Sequence, residues 1–236
     1  MLTQTVAESA VSINRGFSRP AERKLPANKL QSQQKLNGTL DVMGATMEFP
    51  RNGEIYGEGE AADYIYKVIC GAVRVYKVLD DGRRQINAFY LPGDVFGLEA
   101  SQNYPFSAEA VTPSSVLVVK RSSLVALAAR QSEVANELWS LTARELEHMQ
   151  NLMITLGRKN AHERVAAFLL EMAGRTPDRQ TIELPMSRQD IADYLGLTIE
   201  TVSRTFTQLE NESAISLPTS RRVVLRNRGV LSRLNA

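Results

Sequence analysis

The chain has 236 residues, of which 43% are hydrophobic and 23% are charged, as is ordinary for one or two soluble globular domains. No run approaches the ~20 apolar residues of a spanning helix, and the polar start lacks the apolar core of a signal peptide, so we expect no membrane partner. The single cysteine, Cys70, excludes an internal disulfide and a thiolate metal site. We therefore expect a reducing cytoplasmic compartment, no metal and a small, buried Cys70 side chain.

The formal net charge of +2 is distributed unevenly along the chain. Residues 1–40 carry six Lys or Arg and two Glu, and residues 213–236 carry five Arg and no acid. The remaining residues, 41–212, carry 17 Lys or Arg against 24 Asp or Glu. An Arg-rich end on an acidic body favours a surface for phosphate groups, and a solvated basic tail is the alternative that charge alone leaves open.

A polar leader and a β-rich segment are predicted first. Residues 1–40 are rich in Ser, Gln and basic side chains without a sustained period, which is typical of a loosely held basic leader. Nine of the 14 glycines lie between Gly38 and Gly97, so residues 41–122 turn often. Runs of β-branched and aromatic residues predict strands at Tyr64–Cys70, Ala72–Val78, Gln85–Leu91 and Ser115–Val119. Many short strands with Gly-rich turns predict a β-roll or barrel.

Residues 123–158 follow as a predicted dimerisation helix, within a helical stretch of more than 30 residues. A heptad that starts at Trp139 has a largely apolar seam at its a and d positions, formed by Trp139, Thr142, Leu146, Met149, Met153 and Leu156. So long a helix with so wide an apolar face favours pairing with a second copy of the chain, and we expect a homodimer. An amphipathic helix that packs only within its own chain is the alternative.

Residues 159–236 are predicted to form a winged helix-turn-helix domain. Ser187 is a good N-cap for a short helix, and Gly196 follows in the turn, where a left-handed backbone favours glycine. Thr198 then caps a second helix. Two short strands around Pro218–Arg221 complete the unit as a β-hairpin wing.

The second helix of this unit separates into two faces. Val202, Phe206 and Leu209 recur at helical spacing and should pack inward. Opposite them lie side chains that can read the base edges of DNA, namely Ile199, Glu200, Ser203 and Arg204. Side chains placed for DNA phosphates are Ser187, Arg188, Thr198, Thr207, Ser220 and Arg221. These features predict binding of double-stranded DNA, and a helix hairpin with a solvated polar face is the alternative.

The order of a β-roll, a long helix and a winged helix-turn-helix resembles the CRP/FNR family of bacterial transcription regulators, which have an α+β fold. The matching motifs are Gly93-Asp-Val-Phe-Gly97, Lys159-Asn-Ala-His-Glu-Arg164 and Glu200-Thr-Val-Ser-Arg204. The last of these looks like the FNR pattern and implies that Glu200, Ser203 and Arg204 of each subunit read a TTGAT-N4-ATCAA-like palindrome. The resemblance also implies a homodimer and a contact with bacterial RNA polymerase, for which the hairpin Asp80–Arg84 is the candidate by position.

The effector-binding residues of this family are not matched. Cyclic-nucleotide binders have a Gly-Glu pair and an Arg-Ser or Arg-Thr pair, where this chain has Gly97-Leu98, with Glu99 one residue late, and Phe106-Ser107. The leader also lacks a cysteine cluster for iron–sulfur. The pattern resembles the FixK group, which implies an activator in low-oxygen or nitrogen-fixation gene control, with no cofactor and no obligatory effector. The alternative is a regulator whose altered β-roll pocket binds an unidentified small molecule.

Catalysis is the third class of function considered. The sequence contains no nucleophile-elbow, phosphate-loop or zinc-protease motif, and its acidic and His residues are scattered. We therefore expect no catalytic residues and no enzyme activity.

Overall fold

The computed structural model describes residue 38, residues 40–176 and residues 178–235 of the chain. The predicted leader lies almost entirely outside these described residues. Within them the fold is α+β, as predicted: a β-roll is followed by helices and by a winged helix-turn-helix.

Two four-stranded antiparallel sheets form the β-roll. The strands are β1 Ala45–Phe49, β2 Glu54–Tyr56, β3 Tyr64–Cys70, β4 Val73–Val78, β5 Arg84–Tyr90, β6 Val95–Phe96, β7 Ser107–Ala110 and β8 Ser114–Lys120. Their orders in the two sheets are β1-β8-β3-β6 and β2-β7-β4-β5. Side chains from both sheets share one apolar core, in which Val68, Val73 and Val116 are fully buried. The sheets therefore pack face to face, because each buries one face of its alternating side chains.

The four predicted strands are present, with β3 at its predicted bounds. The prediction for Cys70 is wrong, because its side chain is exposed at the end of β3. The pairing of β3 with β8 shifts register between Val68 and Cys70, and Ile69 is exposed as well. A bulge at a strand end turns the last side chains away from the core, and periodicity alone does not reveal it.

The predicted long helix is also wrong in one respect, because it is two helices. Helix α1 spans Arg121–Ala128, and helix α2 spans Ser132–Arg158. Gln131 between them has an extended backbone, with φ of −130° and ψ of 106°. Leu124 in α1 and Val134 in α2 are both buried in the same apolar cluster on the roll, and a bend between the helices lets both reach it.

The C-terminal unit begins immediately after α2. Its elements are α3 Ala161–Gly174, β9 Thr181–Glu183, α4 Arg188–Leu195, α5 Ile199–Asn211, β10 Ile215–Ser216, β11 Arg222–Leu225 and α6 Arg228–Leu234. Strands β10 and β11 are the predicted wing, and β9 pairs with β11 as a third strand. Helix α6 has no counterpart in the prediction; Asn227 caps it by accepting a hydrogen bond from the Val230 backbone N–H.

The roll and the winged unit share part of one apolar core. Phe89 of β5 contacts two rings of the winged unit, with centroid distances of 6.4 Å to Phe168 and 5.4 Å to Tyr194. Ile86 and Phe89 are buried in the same cluster as the side chains of α3, α4 and α5. This shared core fixes the helix-turn-helix against one sheet of the roll.

In the part of the chain that the structure describes, no helix combines the length and the apolar character that a membrane span requires.

Candidate nucleic-acid interface

Local sequence explains why the helix-turn-helix forms where it does. The Ser187 hydroxyl accepts a hydrogen bond from the Asp190 backbone N–H at 3.1 Å, while the Ser187 N–H donates to the Asp190 carboxylate at 2.9 Å. This reciprocal capping box begins α4. Gly196 ends α4 in the left-handed conformation, with φ of +60°, which a residue with a Cβ rarely adopts. The turn is therefore set by Ser187, Asp190 and Gly196.

Helix α5, the predicted recognition helix, starts at a Thr cap. The Thr198 hydroxyl accepts a hydrogen bond from the Thr201 N–H at 3.2 Å. The first turn also carries Glu200, whose pKa lies below its usual value because its own backbone N–H and the Thr198 side chain donate to the carboxylate and Arg204 adds a positive charge. Glu200 is therefore ionised at neutral pH and acts only as a hydrogen-bond acceptor.

The two predicted faces of α5 are present. Val202, Phe206 and Leu209 are buried. The opposite face exposes every side chain predicted to read bases, namely Ile199, Glu200, Ser203 and Arg204. Side chains of these types can bind DNA in complementary ways, because Arg donates to guanine O6 and N7, Glu accepts from a base amino group, and an apolar side chain contacts the thymine methyl.

The predicted phosphate contacts fall into two groups. Thr198, Thr207, Ser220 and Arg221 are exposed, the last two near the tip of the wing. Ser187 and Arg188 are half-buried and have partners within the chain. The Ser187 hydroxyl donates to the Asp190 carboxylate at 2.7 Å, and the Arg188 guanidinium lies over the Phe206 ring at 3.4 Å.

Arg188 keeps its charge in this partly buried position. Burial lowers the pKa of Arg188 to about 10, which is still well above neutral pH. Stacking on an aromatic face compensates for part of the lost hydration of a guanidinium. Arg188 therefore brings a fixed positive charge next to α5, where it lies over Phe206.

A buried ion network fixes α4 to the roll, and the sequence analysis missed it. The Asp190 carboxylate accepts from Arg74 at 2.9 Å and from Arg84 at 2.7 Å, and Arg84 also binds Asp193 at 2.8 Å. Arg74 is 7% exposed and also binds Glu109, at 2.8 Å. The sequence analysis identified Ser187 as the N-cap of α4, but no sequence signal pointed to Asp190 or to its partners on β4 and β5, which lie more than 100 residues away.

The interior of the roll is filled by aromatic rings. Tyr56 stacks on Tyr104 with a centroid distance of 3.8 Å, and Phe96 stacks on Tyr66 at 5.1 Å and on Tyr90 at 5.0 Å. All but Tyr90 are buried as whole residues. These rings form a packed core beside Gly97-Leu98 and Phe106-Ser107, the positions that correspond to the effector-binding pairs of cyclic-nucleotide binders.

A cavity of about 230 Å³ remains between this core and α2. It is lined by the segment from Gly97 to Glu99 and by side chains of α2, including Glu145 and Met149. Oxygen Oε2 of Glu99 is buried and has no hydrogen-bond partner among the described residues, and burial raises the pKa of this carboxyl. Glu99 and Glu145 give the cavity an acidic lining, and the nearby Arg121 donates to the backbone carbonyls of Gly97 and Ser101, so the cavity is unsuited to an anionic phosphate.

The predicted dimer seam lies along α2. Trp139, Leu146 and Met153 are large apolar side chains that are 76%, 59% and 68% exposed. Thr142 is exposed too, while Met149 is half-buried beside the cavity. Leu156 is half-buried as well, and its Cδ2 atom lies next to the backbone of Gly196 in the helix-turn-helix. The first five positions lie on one side of α2, whereas Leu156 contacts the helix-turn-helix.

Comparison with known proteins agrees with this architecture. The family model of the Crp-like helix-turn-helix domain matches residues 163–234, and that of the cyclic nucleotide-binding domain matches residues 46–131. The nitrogen fixation regulation protein FixK of Azorhizobium caulinodans is 51% identical over 200 residues, which are 83% of this chain and 81% of that protein. FixK of Rhizobium meliloti is 44% identical over 170 residues, which are 72% of this chain and 77% of that protein.

A solved structure supports the same grouping. The structure of FixK2 from Bradyrhizobium japonicum matches with a TM-score of 0.80 and 52% identity, over 82% of this chain and 98% of that one. The fold and the exposed recognition helix thus define a sequence-specific, DNA-binding transcription regulator of the helix-turn-helix class. The chain belongs to the CRP/FNR family and, within it, to the FixK branch. These relatives are named as regulators and not as enzymes, in agreement with the absence of a catalytic motif from the sequence.

Proposed function

We propose that this regulator is a cytoplasmic homodimer that binds a TTGAT-N4-ATCAA-like palindrome without an obligatory effector and activates genes of low-oxygen metabolism or nitrogen fixation. The observation that carries the proposal is the contrast between an open recognition face on α5 and a filled β-roll. The names of the FixK relatives support the physiological role, since they are described as regulators of nitrogen fixation.

Base reading is assigned to Glu200, Ser203 and Arg204, with Ile199 beside them for a thymine methyl. All four are exposed on one face of a capped helix that is held by a buried core. Thr198, Thr207, Ser220, Arg221, Ser187 and Arg188 are assigned to the flanking phosphates. A helix with its amino-terminal turn in the major groove needs such contacts to fix its register.

Dimerisation is assigned to the exposed side of α2. Trp139, Leu146 and Met153 lie seven residues apart, so they recur on one side of the helix, as a coiled-coil seam requires. Large apolar side chains in such a row are costly to leave in water, and a second α2 is the natural partner. Replacing Leu146 with Asp should convert the dimer to a monomer, which sedimentation equilibrium measures. An unchanged dimer would place the interface elsewhere.

A contact with RNA polymerase is assigned to the turn between β4 and β5. Val78 at the end of β4 and Leu79 in this turn are exposed next to Asp81 and Arg83, which pair with each other at 2.7 Å. An exposed apolar pair beside charged groups is typical of a protein-binding surface. Replacing Val78 and Leu79 with Ser should lower transcription in a purified system while leaving DNA affinity unchanged.

The test of the DNA-binding proposal is fluorescence anisotropy at one stated salt concentration. The full chain is titrated against a TTGAT-N4-ATCAA duplex and against a scrambled duplex of the same composition. Specific binding should exceed non-specific binding by at least about 10³-fold. Equal affinity for both duplexes would reject the assigned palindrome.

The second candidate function is a regulator that senses a small molecule in the cavity beside Glu99. Its support is the unpaired buried carboxyl oxygen of Glu99 in a space of about 230 Å³. Because Glu99 and Glu145 both line this cavity, a neutral or cationic ligand fits it better than an anionic nucleotide. Native mass spectrometry of the purified dimer distinguishes the two functions. A ligand-dependent regulator would either carry a bound ligand, seen as added mass, or bind DNA specifically only after a ligand is added.

A further inference from the structure

The motif Lys159-Asn-Ala-His-Glu-Arg164 joins α2 to the winged unit, and none of the roles above uses its last residue. Arg164 lies in the first turn of α3 and is half-buried. Its guanidinium donates hydrogen bonds to four backbone carbonyls. The acceptors are Lys159 O at 2.8 Å, Leu156 O at 2.9 Å, Leu195 O at 2.8 Å and Gly196 O at 3.4 Å.

These acceptors belong to two helix ends. Leu156 and Lys159 lie at the C-terminus of α2, and Leu195 and Gly196 lie at the C-terminus of α4. The last carbonyls of a helix lack partners within the helix and carry its negative dipole end, so a cation is favoured there. One guanidinium therefore neutralises and joins two helix ends at once. A Lys ammonium lacks the planar fork of donors and cannot reproduce this arrangement.

The two joined ends have different tasks. Helix α2 carries the exposed apolar seam, and the turn at Gly196 leads directly into Thr198 and the recognition helix. The side chain of Leu156 also lies against Gly196, with its Cδ2 atom 3.6 Å from an ideal Cβ position there. The direction of the recognition helix is thus tied to the C-terminus of α2 at this junction, in addition to the contacts of His148 in α2 with Tyr194 and Glu171.

We propose that Arg164 is a positioning residue that sets the distance between the two recognition helices and thereby selects the spacing between half-sites. The proposal rests on the homodimer and palindrome of the proposed function. Arg164 lies away from the exposed reading face, so it does not choose bases. It determines where the two reading faces stand relative to each other.

Other contacts hold the winged unit when this junction is lost. The Asp190 network and the Phe89 contacts fix α4 to the roll of the same chain. The Lys159 ammonium also binds the Asn235 backbone carbonyl at 2.8 Å. A variant at Arg164 is therefore expected to fold, with a less defined angle between α2 and α5.

The test compares three duplexes that carry the same half-sites separated by three, four or five base pairs, and a fourth with one base changed in each half-site. The wild type, Arg164→Lys, Arg164→Gln and a control, Arg130→Gln, are titrated against all four. Arg130 is exposed in the turn between α1 and α2, so the control makes the same chemical change far from the junction. Ratios are measured within one preparation, so an inactive fraction cancels.

Both Arg164 variants should lose about tenfold in affinity for the four-base-pair spacer, the size expected when charge-assisted hydrogen bonds are lost. Their preference for four over five base pairs should fall by a similar factor, while the penalty for the changed base stays within about twofold of wild type. An unchanged spacing preference in both variants would overturn the role of Arg164. If the wild type itself shows no spacing preference, the proposed palindrome is wrong, and the proposed role of Arg164 in selecting its spacing fails with it.

Discussion

The β-roll and the winged unit of this chain both bury aromatic side chains, and they differ in what this leaves open: a packed interior in the roll and a polar outer face on α5. In the roll, Tyr56, Tyr66, Phe96 and Tyr104 point inward and stack on one another. In the winged helix, the single aromatic residue of α5, Phe206, is buried, and the polar side chains of that helix face solvent. A sensor needs a vacant and polar interior, whereas a reader needs a rigid base and a free surface. In this chain the winged unit has a complete exposed recognition face, whereas aromatic side chains fill most of the interior of the β-roll, where a sensor would hold its ligand.

The buried ion network connects these two regions. Asp190 lies in α4 of the winged unit, and Arg74 and Arg84 lie in the roll. A charge pair buried between domains is costly to break, because either partner alone keeps its desolvation cost. In this chain the roll therefore serves as a support for α4, while the Arg164 junction ties the helix-turn-helix to α2.

The largest expected effect is a loss of folding stability that leaves DNA binding unchanged. Tyr104→Ala removes a fully buried ring that stacks on Tyr56 and whose hydroxyl donates to the Tyr64 carbonyl at 2.6 Å. The free energy of unfolding should fall by about 3–5 kcal/mol, as for other large-to-small changes in a core. Urea titration measures this loss, and the DNA affinity of the folded fraction should stay within about twofold. A loss of specificity would mean that the roll interior takes part in reading.

The second effect concerns the connection between the regions. Asp190→Ala leaves Arg74 buried with only Glu109 as its charge partner and removes the capping box of α4, so unfolding should become easier by about 3 kcal/mol. Asp193→Ala is the matched control, because it removes a carboxylate that binds Arg84 but not Arg74 and otherwise accepts only from the Gln189 side chain among the described residues. Urea titration of both variants should show a loss several times smaller for Asp193→Ala. Equal losses would mean that the network acts only through Arg84.

The third effect concerns the reader. Arg204→Ala should cost about 1–3 kcal/mol of binding free energy per half-site and relax the choice at one base pair, since a bidentate contact to guanine is lost. Anisotropy with duplexes that vary at each half-site position measures both changes. Arg130→Ala removes an equivalent exposed charge outside the reading face and should leave specificity unchanged. An Arg204→Ala variant that keeps the full DNA sequence preference of the wild type would contradict the assignment of Arg204 to base reading.

The smallest effect is the pH dependence of the network. Burial alone would raise the pKa of Asp190, but hydrogen bonds from Ser187 and the charges of Arg74 and Arg84 outweigh it and hold the pKa below its usual value. A group with a lowered folded-state pKa stabilises the fold above its unfolded pKa of about 3.9 and loses that contribution as the pH falls through the folded value.

The stability difference between the wild type and Asp190→Asn should therefore be constant from pH 8 to pH 5 and shrink only below about pH 4. Urea titration at pH 7, 5, 4 and 3 measures it. A difference that shrinks between pH 8 and pH 5 would contradict the lowered pKa of Asp190.

Local sequence rules predicted the reading unit well. Ser187, Gly196 and Thr198 each act within four residues of their own position, so the caps, the turn and the faces of α5 follow from spacing. The exposure of Cys70 and the break before α2 depend on register and on burial of Leu124 against distant strands, which local spacing does not contain. The Asp190 network and the Arg164 junction escaped prediction for the same reason, since each joins residues that only the folded chain brings together.

The most direct test of the central account compares specific DNA binding with and without possible effectors. The purified chain is titrated against the palindromic duplex in air, under anoxic conditions, and with cyclic AMP or cyclic GMP. A filled roll predicts the same dissociation constant within about twofold in all four conditions, with the scrambled duplex at least about 10³-fold weaker throughout. Specific binding that appears only with a nucleotide or only without oxygen would contradict the account and return the sensing role to the β-roll.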